Sequence, residues 1–419
     1  MTKLTDNSVR DIKLALAKKV LTQTQIGEEF GVSRGTINDI NTGRIHTDVK
    51  AELPEGDAQV LRMQSEIVHL REERNDFKRQ LNAACRTQGL FAAVVDEMDG
   101  RVKPFKALPK ARPIFKVKKD TIQEHLVMHL SDGHHDQIVM PSDSGGLETY
   151  NFPISMCRAE QYIDTTLKWT QETLAPQFRF PAVTILAYGD HTSGEIHGHT
   201  NRSYFRNAFK NSLAIGQLHS LMFRDLAPYF EQVNVVYVPG NHGRRSTKKD
   251  YLGAHDNWDY LIAKTAELYC QNINNVNFVI PNSFSVNVDI DGIGFNIFHG
   301  DDIRSSLGIP WYGLEKRRHK IIALNSVMQG TPIRYTCCGH FHRGGRTSEL
   351  NGEQLINGAW LATDAFAFNA LCGYTEPTQL IHGVNQDKGI TWRLPVQLRC
   401  PYESSGPRRY KIDMMEDVG

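Results

Sequence analysis

At five places in the chain, an apolar, strand-like run ends in a short cluster of glycine with histidine, aspartate or asparagine. The clusters are Asp132-Gly133-His134, Gly189-Asp190, Gly240-Asn241-His242, His299-Gly300-Asp301 and Gly339-His340-Phe341-His342. Imidazoles, carboxylates and an amide oxygen together are typical ligands of divalent first-row metals. They suit neither calcium, which prefers oxygen alone, nor a thiolate zinc site. The clusters therefore predict a centre for two divalent metal ions.

Two of these clusters have a spacing that brings side chains to a common point. Asp132 and His134 are two residues apart and can reach one ion across a tight turn at Gly133. His340 and His342 alternate in the same way, so they point in the same direction and can serve the two ions separately. The spacing therefore agrees with the residue types.

Histidine is unevenly distributed. Fourteen of the 17 histidines lie between His125 and His342, whereas solvated surface histidines would be spread evenly along the chain. The clustering favours a metal site in the second half of the chain. Several other histidines of this region are predicted to be ordinary core or surface residues: His125, His129, His135, His219, His255 and His319.

After Gln123 the sequence consists of apolar, β-type runs separated by helical stretches, which is typical of an α/β or α+β sandwich. The runs that precede the clusters are HLVMHLS, AVTILAY, VNVVYVP, GFNIF and IRYTCC. Strand ends of one sheet lie side by side, so the clusters can converge on one crevice. Residues 354–360 predict one or two closing strands, and residues 375–419 carry no assignable motif.

In this order, the motifs DxH, GD, GNH, H and GHxH resemble those of the calcineurin-like metallophosphoesterases, over about residues 126–345. The resemblance implies a sandwich of two β-sheets flanked by helices. It implies one ion held by Asp132, His134 and His342, a second held by Asn241, His299 and His340, and Asp190 as the bridge. Mn²⁺ is the expected metal, with iron or zinc as alternatives.

The same resemblance implies phosphoester hydrolysis, in which a hydroxide that bridges the two ions attacks phosphorus. His242 would hydrogen-bond or protonate the leaving oxygen. Family members usually place an acid directly after this histidine, whereas Gly243 stands here. Either Asp256 or Asp301 orients the imidazole instead, or His242 is a weaker acid catalyst.

The residues after Gly189-Asp190 favour a nucleic-acid substrate. Phosphatase members tend to read GDxxDRG, whereas this chain reads GDHTSGEIH, which resembles the exonuclease-like branch. In that branch a histidine shortly after GD contacts the scissile phosphate, a role that falls to His191 or His197. Cations suited to a polyanionic strand flank the predicted metals: Arg244, Arg245, Lys248, Lys249, Arg343 and Arg346.

These features predict a DNA-hydrolysing phosphodiesterase, that is, a nuclease. One alternative is a phosphomonoesterase or nucleotide phosphodiesterase. Another is a DNA-binding assembly protein whose hydrolase site has decayed, which the glycine after His242 motivates. All seven ligand positions being present argues against decay.

Residues 1–50 predict a small helix-turn-helix domain. Gly27, Gly31 and Ile37 lie at the offsets of that motif, and Ser33 can cap its second helix. The stretch resembles the modules of phage and bacterial DNA-binding proteins. Contacts to DNA are predicted for Arg34, Thr36, Asn38 and Arg44. A three-helix cap that packs on another surface is the alternative.

Residues 57–99 predict a coiled-coil helix, because apolar residues between 60 and 84 recur in alternating steps of three and four. Pairing through residues 60–84 would make a homo-oligomer in which two weak DNA-binding modules act together. A helix packed on its own chain is the alternative. Residues 100–120 are rich in basic residues and proline, which predicts an extended linker. The metallophosphoesterase domain is predicted at 121–419.

The composition of the 419 residues excludes several classes of protein. The net charge is only +1, and the basic excess lies at the front, with 21 basic and 16 acidic residues before position 119. Seven scattered cysteines without a CxxC pair favour a reducing cytoplasm over a disulfide scaffold. No apolar signal region or run of 18 apolar residues occurs, so we expect a soluble protein without a membrane partner.

Overall fold

A computed structural model describes residues 4–18, 21–51, 90–100, 102–109, 121–196, 202–247, 253–303 and 310–413. The chain divides into two compact units, Met1–Thr87 and Gln88–Gly419. The predicted heptads at 60–84 lie outside the described residues, as do His197, Lys248 and Lys249. Pairing of two chains through residues 60–84 therefore stays a prediction.

The first unit contains three short helices, α1 (Asp6–Lys18), α2 (Gln23–Glu29) and α3 (Arg34–Asn41). Apolar residues from all three form its core, which comprises Val9, Ile12, Ile26, Ile37, Ile40 and Val49. Within α1 and α3 the buried positions are three residues apart, so each helix turns one face inward and leaves its polar face in solvent. The small core is therefore built from one face of each helix.

The turn between α2 and α3 has the predicted local structure. Gly31 has a φ of 65°, which glycine adopts without strain. Ser33 caps α3, because its Oγ accepts a hydrogen bond from the Thr36 amide at 3.1 Å. The chain passes so close to Gly27 that an added Cβ would lie 2.7 Å from the Val32 carbonyl oxygen. The cap and the turn agree with those predicted locally, while the helix-turn-helix assignment of this unit and its binding to DNA stay predictions.

The second unit is a mixed α/β structure. Its strands are β1 (Ile122–Gln123), β2 (His125–Leu130), β3 (Phe178–Arg179), β4 (Ala182–Tyr188), β5 (Gln232–Val238), β6 (Val276–Val279), β7 (Ser285–Ile290), β8 (Ile293–Phe298), β9 (Ile333–Cys338), β10 (Gly345–Glu349), β11 (Gly352–Ile356), β12 (Thr378–Asn385) and β13 (Gly389–Gln397). Its helices are α4 (Leu90–Met98), α5 (Phe152–Lys168), α6 (Ala208–Leu226), α7 (Trp258–Cys270), α8 (Trp311–Val327) and α9 (Ala365–Leu371).

Two large sheets organise this unit. The first has six strands in the order β13-β12-β2-β4-β5-β6, and the second has five in the order β10-β11-β9-β8-β7. β2, β4 and β5 run parallel to one another in the first sheet, as do β8 and β9 in the second. Parallel neighbours end at the same edge of a sheet, so each sheet delivers its predicted ligands to one edge.

The two sheets pack face to face between layers of helices. Leu186 and Tyr188 of β4 share one buried cluster with Phe295 of the second sheet. Val183 and Ile185 alternate with them and face α5, α6 and α7 on the other side. The outer face of the second sheet packs against α8. Helices therefore cover both outer faces of a two-sheet sandwich. No helix among the described residues is long and apolar enough to cross a membrane.

Two predicted boundaries differ from the structure. Residues 90–98, predicted to end the coiled-coil segment, form α4, which belongs to the second unit and places Phe91 against Trp258 with ring centroids 4.6 Å apart. Residues 102–109 of the predicted linker form no helix or strand, but Phe105 packs against the core of the second unit. Its amide also donates to the Tyr269 carbonyl at 2.8 Å. Apolar side chains hold both segments to this unit. The surrounding charged residues dominate the sequence pattern, so these contacts were not predicted.

The strands β12 and β13 lie in residues 375–419, for which the sequence analysis assigned no motif. β12 pairs with β2 in antiparallel register, with Ile381 opposite Met128, and β13 forms the edge of the six-stranded sheet. β2 therefore lies between β4, the next long strand in the chain, and β12, which comes from near the C-terminal end. The last part of the chain completes the sheet that carries the first predicted ligand.

Candidate metal centre

The seven predicted ligands lie together where the strand ends of the two sheets meet. Six of them form two groups, Asp132 with His134 and His342, and Asp190 with His299 and His340. Within each group the ligand atoms lie within 4.8 Å of one another. Asn241 belongs with the second group, because its Oδ1 is 3.0 Å from His299 Nε2. The structure thus brings these residues together in the grouping that the family resemblance implies, and metal binding by them stays a prediction.

Asp190 lies between the two groups. Its Oδ2 is 2.8 Å from His299 Nε2, which belongs to the second group. Its carboxylate is also within 4.8 Å of the ring nitrogens of His134, from the first group, and of His242. The other oxygen, Oδ1, accepts a hydrogen bond from the His242 amide at 2.7 Å. Asp190 therefore lies within reach of both groups, and its role as a bridge between two ions stays a prediction.

Backbone strain is concentrated at this centre. Eleven described residues other than glycine have a positive φ, and five of them are predicted ligands. These five are Asp132 (51°), His134 (39°), Asp190 (54°), His340 (70°) and His342 (54°). Aspartate and histidine tolerate the left-handed region better than most residues, but each such residue still costs about 1–3 kcal/mol. The surrounding fold holds the turns after the strands in conformations that direct these side chains to one place.

Glycines allow the loops to lie against each other's carboxylates. A Cβ added to Gly240 would collide with the Asp190 carboxylate, and one added to Gly339 would collide with that of Asp132. The backbone of each loop therefore passes directly over a ligand from another strand, of the same sheet for Gly240 and of the other sheet for Gly339. This close approach explains why glycine accompanies the ligands in the sequence motifs.

Hydrogen bonds orient the ligand side chains. Asp132 Oδ2 accepts from Ser131 Oγ at 2.6 Å, and its Oδ1 accepts from the His340 amide at 2.8 Å. His299 Nδ1 lies 2.9 Å from the Tyr188 carbonyl oxygen. Because a carbonyl only accepts, Nδ1 carries the hydrogen, and Nε2 is the atom that faces the other ligands. This arrangement prepares His299 for coordination through Nε2.

The charges at the centre are strongly coupled. Burial alone would lower the pKa of His299, but the adjacent Asp190 carboxylate raises it to about 10. Burial would raise the pKa of Asp190, yet His299 and His242 hold it well below its usual range. Burial and the charge on His299 lower the pKa of His340 to about 3. Four imidazoles, two carboxylates and an amide oxygen form a donor set that fits borderline divalent cations.

Asp259, at the start of α7, clamps two of the ligand loops, a role the sequence analysis missed. Its Oδ2 accepts from the amides of Asp190 (3.1 Å) and Gly240 (2.8 Å), and its Oδ1 accepts from that of His191 (3.1 Å). Burial, with a contribution from the charge on Asp190, raises the pKa of Asp259 to about 6. In the sequence it reads as an ordinary acidic residue in the first turn of a helix capped by Asn257.

His242 is oriented by a backbone carbonyl. Its Nδ1 lies 3.0 Å from the carbonyl oxygen of Ser193. Of the two acids considered for this role, Asp256 pairs with Arg245 at 3.0 Å. The charge of Asp301 acts on His299 and His340. The Ser193 carbonyl therefore orients the His242 imidazole. An acid at position 243, where this chain has glycine, is not needed for that purpose.

His191 belongs to neither of these two ligand groups. Its side chain is fully buried, and neither ring nitrogen has a hydrogen-bond partner among the described residues. The ring packs perpendicular to that of His219, with centroids 4.8 Å apart. Burial lowers its pKa to about 3. The burial of the ring argues against a contact of His191 with a substrate phosphate, and that contact stays a prediction.

The predicted phosphate-binding arginines differ in their surroundings. Arg244 is half-buried, and its Nε donates to the Asn241 carbonyl at 3.1 Å, directly beside the centre. Arg245 is held by Asp256, and Arg346 pairs with Glu353 at 3.2 Å. Arg343 is exposed and has no ion-pair partner among the described residues. Arg244 and Arg343 are thus the better placed of the predicted cations.

The predicted DNA contacts of the first unit lie on or just after α3. Arg34 and Asn38 are exposed, while Thr36 is half-buried with its Oγ1 3.0 Å from Ser33 Oγ. Arg44 is exposed and lies 3.5 Å from Asp39. Arg34 and Asn38 are therefore accessible on one helix, whereas Thr36 takes part in the helix cap.

The chain matches no family model and no curated protein. Among solved structures, it is similar to an archaeal phosphodiesterase at 12% identity, covering 64% of this chain and 99% of that one, with a TM-score of 0.29. A Vps29 variant from Entamoeba histolytica has 12% identity, 64% and 98% coverage and a TM-score of 0.28. A predicted phosphoesterase from Streptococcus pneumoniae has 8% identity, 65% and 98% coverage and a TM-score of 0.26. TM-scores this low establish neither fold nor function for this chain.

Proposed function

We propose that this chain is a calcineurin-like metallophosphoesterase of the exonuclease-like branch, a phosphodiesterase that hydrolyses DNA with two divalent metal ions. The observation that carries the proposal is the position of Asp190 between two groups of ligands at the strand ends of two sheets. Two ions held in this way polarise a phosphoryl group and lower the pKa of a bound water.

The residues divide into holders of the ions and groups that act on the substrate. Asp132, His134 and His342 would hold one ion, and Asn241, His299 and His340 would hold the other, with Asp190 shared. His242 is held through Nδ1 by the Ser193 carbonyl, so its Nε2 is the atom that meets the substrate. It donates a proton to the oxygen that leaves phosphorus. Manganese is the metal we expect, with iron or zinc as alternatives.

DNA is favoured as the substrate by the positive groups of both units. Arg244 and Arg343 lie beside the ligand loops, where they suit the backbone of a polyanionic strand better than a free phosphomonoester. In the first unit, Arg34 and Asn38 present on one helix the side-chain types that bind phosphates and base edges. Pairing of chains through residues 60–84 would let two such units bind together. The cytoplasm is the expected location.

The proposal is tested with purified full-length protein, Mn²⁺ and single- and double-stranded DNA. Asp190→Asn is the test variant, and Asp387→Asn, at an exposed turn, is the matched control. We expect hydrolysis by the wild type and the control and at least about a 100-fold loss in Asp190→Asn, more than is typical for losing an outer-shell partner. Equal activity in all three proteins would reject the proposal.

Two further measurements separate the alternatives. Strong turnover of phosphate monoesters without any DNA cleavage would identify a phosphomonoesterase. Metal analysis of protein purified without chelators tests a decayed site, which would hold less than about one ion per chain. The proposed enzyme holds at least two.

A further inference from the structure

His135, His191 and His219 form a second cluster of imidazoles, separate from the two ligand groups. All three side chains are fully buried, and their ligand nitrogens lie within 4.8 Å of one another. His135 directly follows the ligand His134, and His191 directly follows Asp190. His219 lies on α6. We propose that this cluster binds a further divalent metal ion of the zinc class, with a structural role.

The ring nitrogens of His135 and His219 are arranged as in a metal site. His135 Nδ1 lies 2.7 Å from Ser155 Oγ, and His219 Nδ1 lies 2.8 Å from the Tyr237 hydroxyl. The Nε2 atoms face each other and hydrogen-bond at 3.1 Å. Two nitrogens bound tetrahedrally to one zinc at 2.0–2.1 Å are about 3.3 Å apart. A hydrogen bond to the other ring nitrogen is what orients a metal-bound histidine.

His191 supplies the independent observation that points to a ligand. Its ring is fully buried in this cluster, and neither Nδ1 nor Nε2 has a hydrogen-bond partner among the described residues. An unsatisfied buried polar group is unfavourable. His191, unlike the similarly unpartnered His382, belongs to a group of three imidazoles that could share one ion. An ion between the three rings gives His191 a partner. The Nε2 atoms of His135 and His219, which hydrogen-bond each other at 3.1 Å, would both turn to the ion when it binds.

The donor set determines the class of ion. Three imidazoles without a carboxylate or thiolate suit zinc or cobalt, whereas magnesium, calcium and manganese prefer oxygen ligands. The cluster is closed to solvent, and Trp360 packs against His135 with ring centroids 4.6 Å apart. No substrate reaches such an ion, so its role is structural. It ties the loops after β2 and β4, which carry His134 and Asp190, to α6.

The proposal is tested by counting ions in full-length protein saturated with zinc and then freed of loosely bound metal. His219→Phe removes one ligand of the cluster and touches no residue of the proposed catalytic centre. We expect its zinc content to fall by one ion per chain, with Asp387→Asn equal to wild type. An unchanged content in a folded His219→Phe protein would overturn the proposal.

Two measurements do not depend on the folding of His219→Phe. Tyr237→Phe keeps all three ligands but removes the hydroxyl at His219 Nδ1, and we expect zinc affinity at this cluster to fall about 10–100-fold. Crystals of the wild type grown with zinc should show anomalous scattering between the three histidines at the zinc edge. The absence of that peak would overturn the proposal. Both measurements detect zinc at this cluster and do not depend on catalysis. A failure to hydrolyse DNA would therefore not contradict this inference.

Discussion

Asp190 Oδ2 lies 2.8 Å from His299 Nε2, although the two residues follow strands of different sheets. Sheet packing alone therefore assembles an ion pair at the point where two metal ions are proposed to bind. The pair holds a proton on His299 that a metal ion must displace, because a metal binds only the neutral imidazole. Metal binding and proton release are coupled at this residue.

The first prediction is that metal binding releases a proton and tightens as pH rises. Asp190 raises the pKa of His299 to about 10, so His299 is protonated at pH 7.5 before an ion binds. We expect release of about one proton per centre, and affinity for Mn²⁺ that increases between pH 7 and 9. Calorimetric titration in buffers of different ionisation enthalpy measures the release. Identical heats in all buffers would contradict the prediction.

His242→Gln should separate acid catalysis from metal binding. DNA has a poor leaving group that needs a proton, so we expect kcat on DNA to fall by about 10²–10⁴-fold. A nitrophenyl phosphodiester has a good leaving group, and its turnover should fall less than about tenfold. Metal content should equal that of the wild type. Equal losses on both substrates would show that His242 is not the acid.

Asp259→Asn should loosen the ligand loops, because one carboxylate now accepts from three backbone amides. We expect the free energy of unfolding to fall by about 1–3 kcal/mol and Mn²⁺ affinity to fall by about 10–100-fold. Asp256→Asn is the matched control, since its exposed pair with Arg245 contributes about 0–1 kcal/mol. Urea unfolding and metal titration measure both effects. Similar values for the two variants would show that Asp259 does not hold the ligand loops in place.

His382→Phe should flatten the acid dependence of stability. His382 is fully buried without a partner at either nitrogen among the described residues, and burial lowers its pKa well below 6.5. Below about pH 6.5 the unfolded chain binds a proton that the folded chain does not, so stability falls as pH falls. Removing the imidazole should reduce this slope by about 1.4 kcal/mol per pH unit. Urea unfolding between pH 7 and 5, with His319→Gln as the exposed control, checks it.

Arg34→Ala should weaken DNA binding by the intact protein at every sequence if Arg34 contacts phosphate. We expect the slope of log affinity against log salt to fall in magnitude by about one. Arg10→Ala removes the same charge from α1 and is the matched control. Fluorescence anisotropy at several salt concentrations measures both. An equal effect of the two variants would indicate bulk charge rather than a contact by α3.

The positions of the proposed ligands were accessible from sequence because their signal is local. Each ligand follows an apolar run within a few residues and is accompanied by a glycine, as at Gly240 and Gly339, where the backbone passes over a carboxylate. The orienting groups give no such signal. Ser193 acts through its backbone carbonyl, and Asp259 reaches the ligand loops only after α7 has packed.

The strands β12 and β13 escaped prediction for a different reason. β12 buries the polar residues Gln379 and His382, so its apolar alternation is interrupted although the strand is central. Gln379 is satisfied by distant groups, including the Ser131 backbone. β13 contains Pro395, which an edge strand tolerates but which argues against a strand when read alone. These two segments become strands through their pairing within the sheet, and their local sequence does not predict it.

Because β12 pairs with β2, the six-stranded sheet can be completed only after most of the chain has been synthesised. β2 leads directly to Asp132, and the Trp360 amide donates to the Asp132 carbonyl at 3.1 Å. Until residues 378–385 leave the ribosome, β2 has an open edge on the side where β12 will pair. A nascent or truncated chain that stops before residue 378 therefore exposes a strand edge prone to association with other chains. The first ligand to be synthesised is enclosed by some of the last residues.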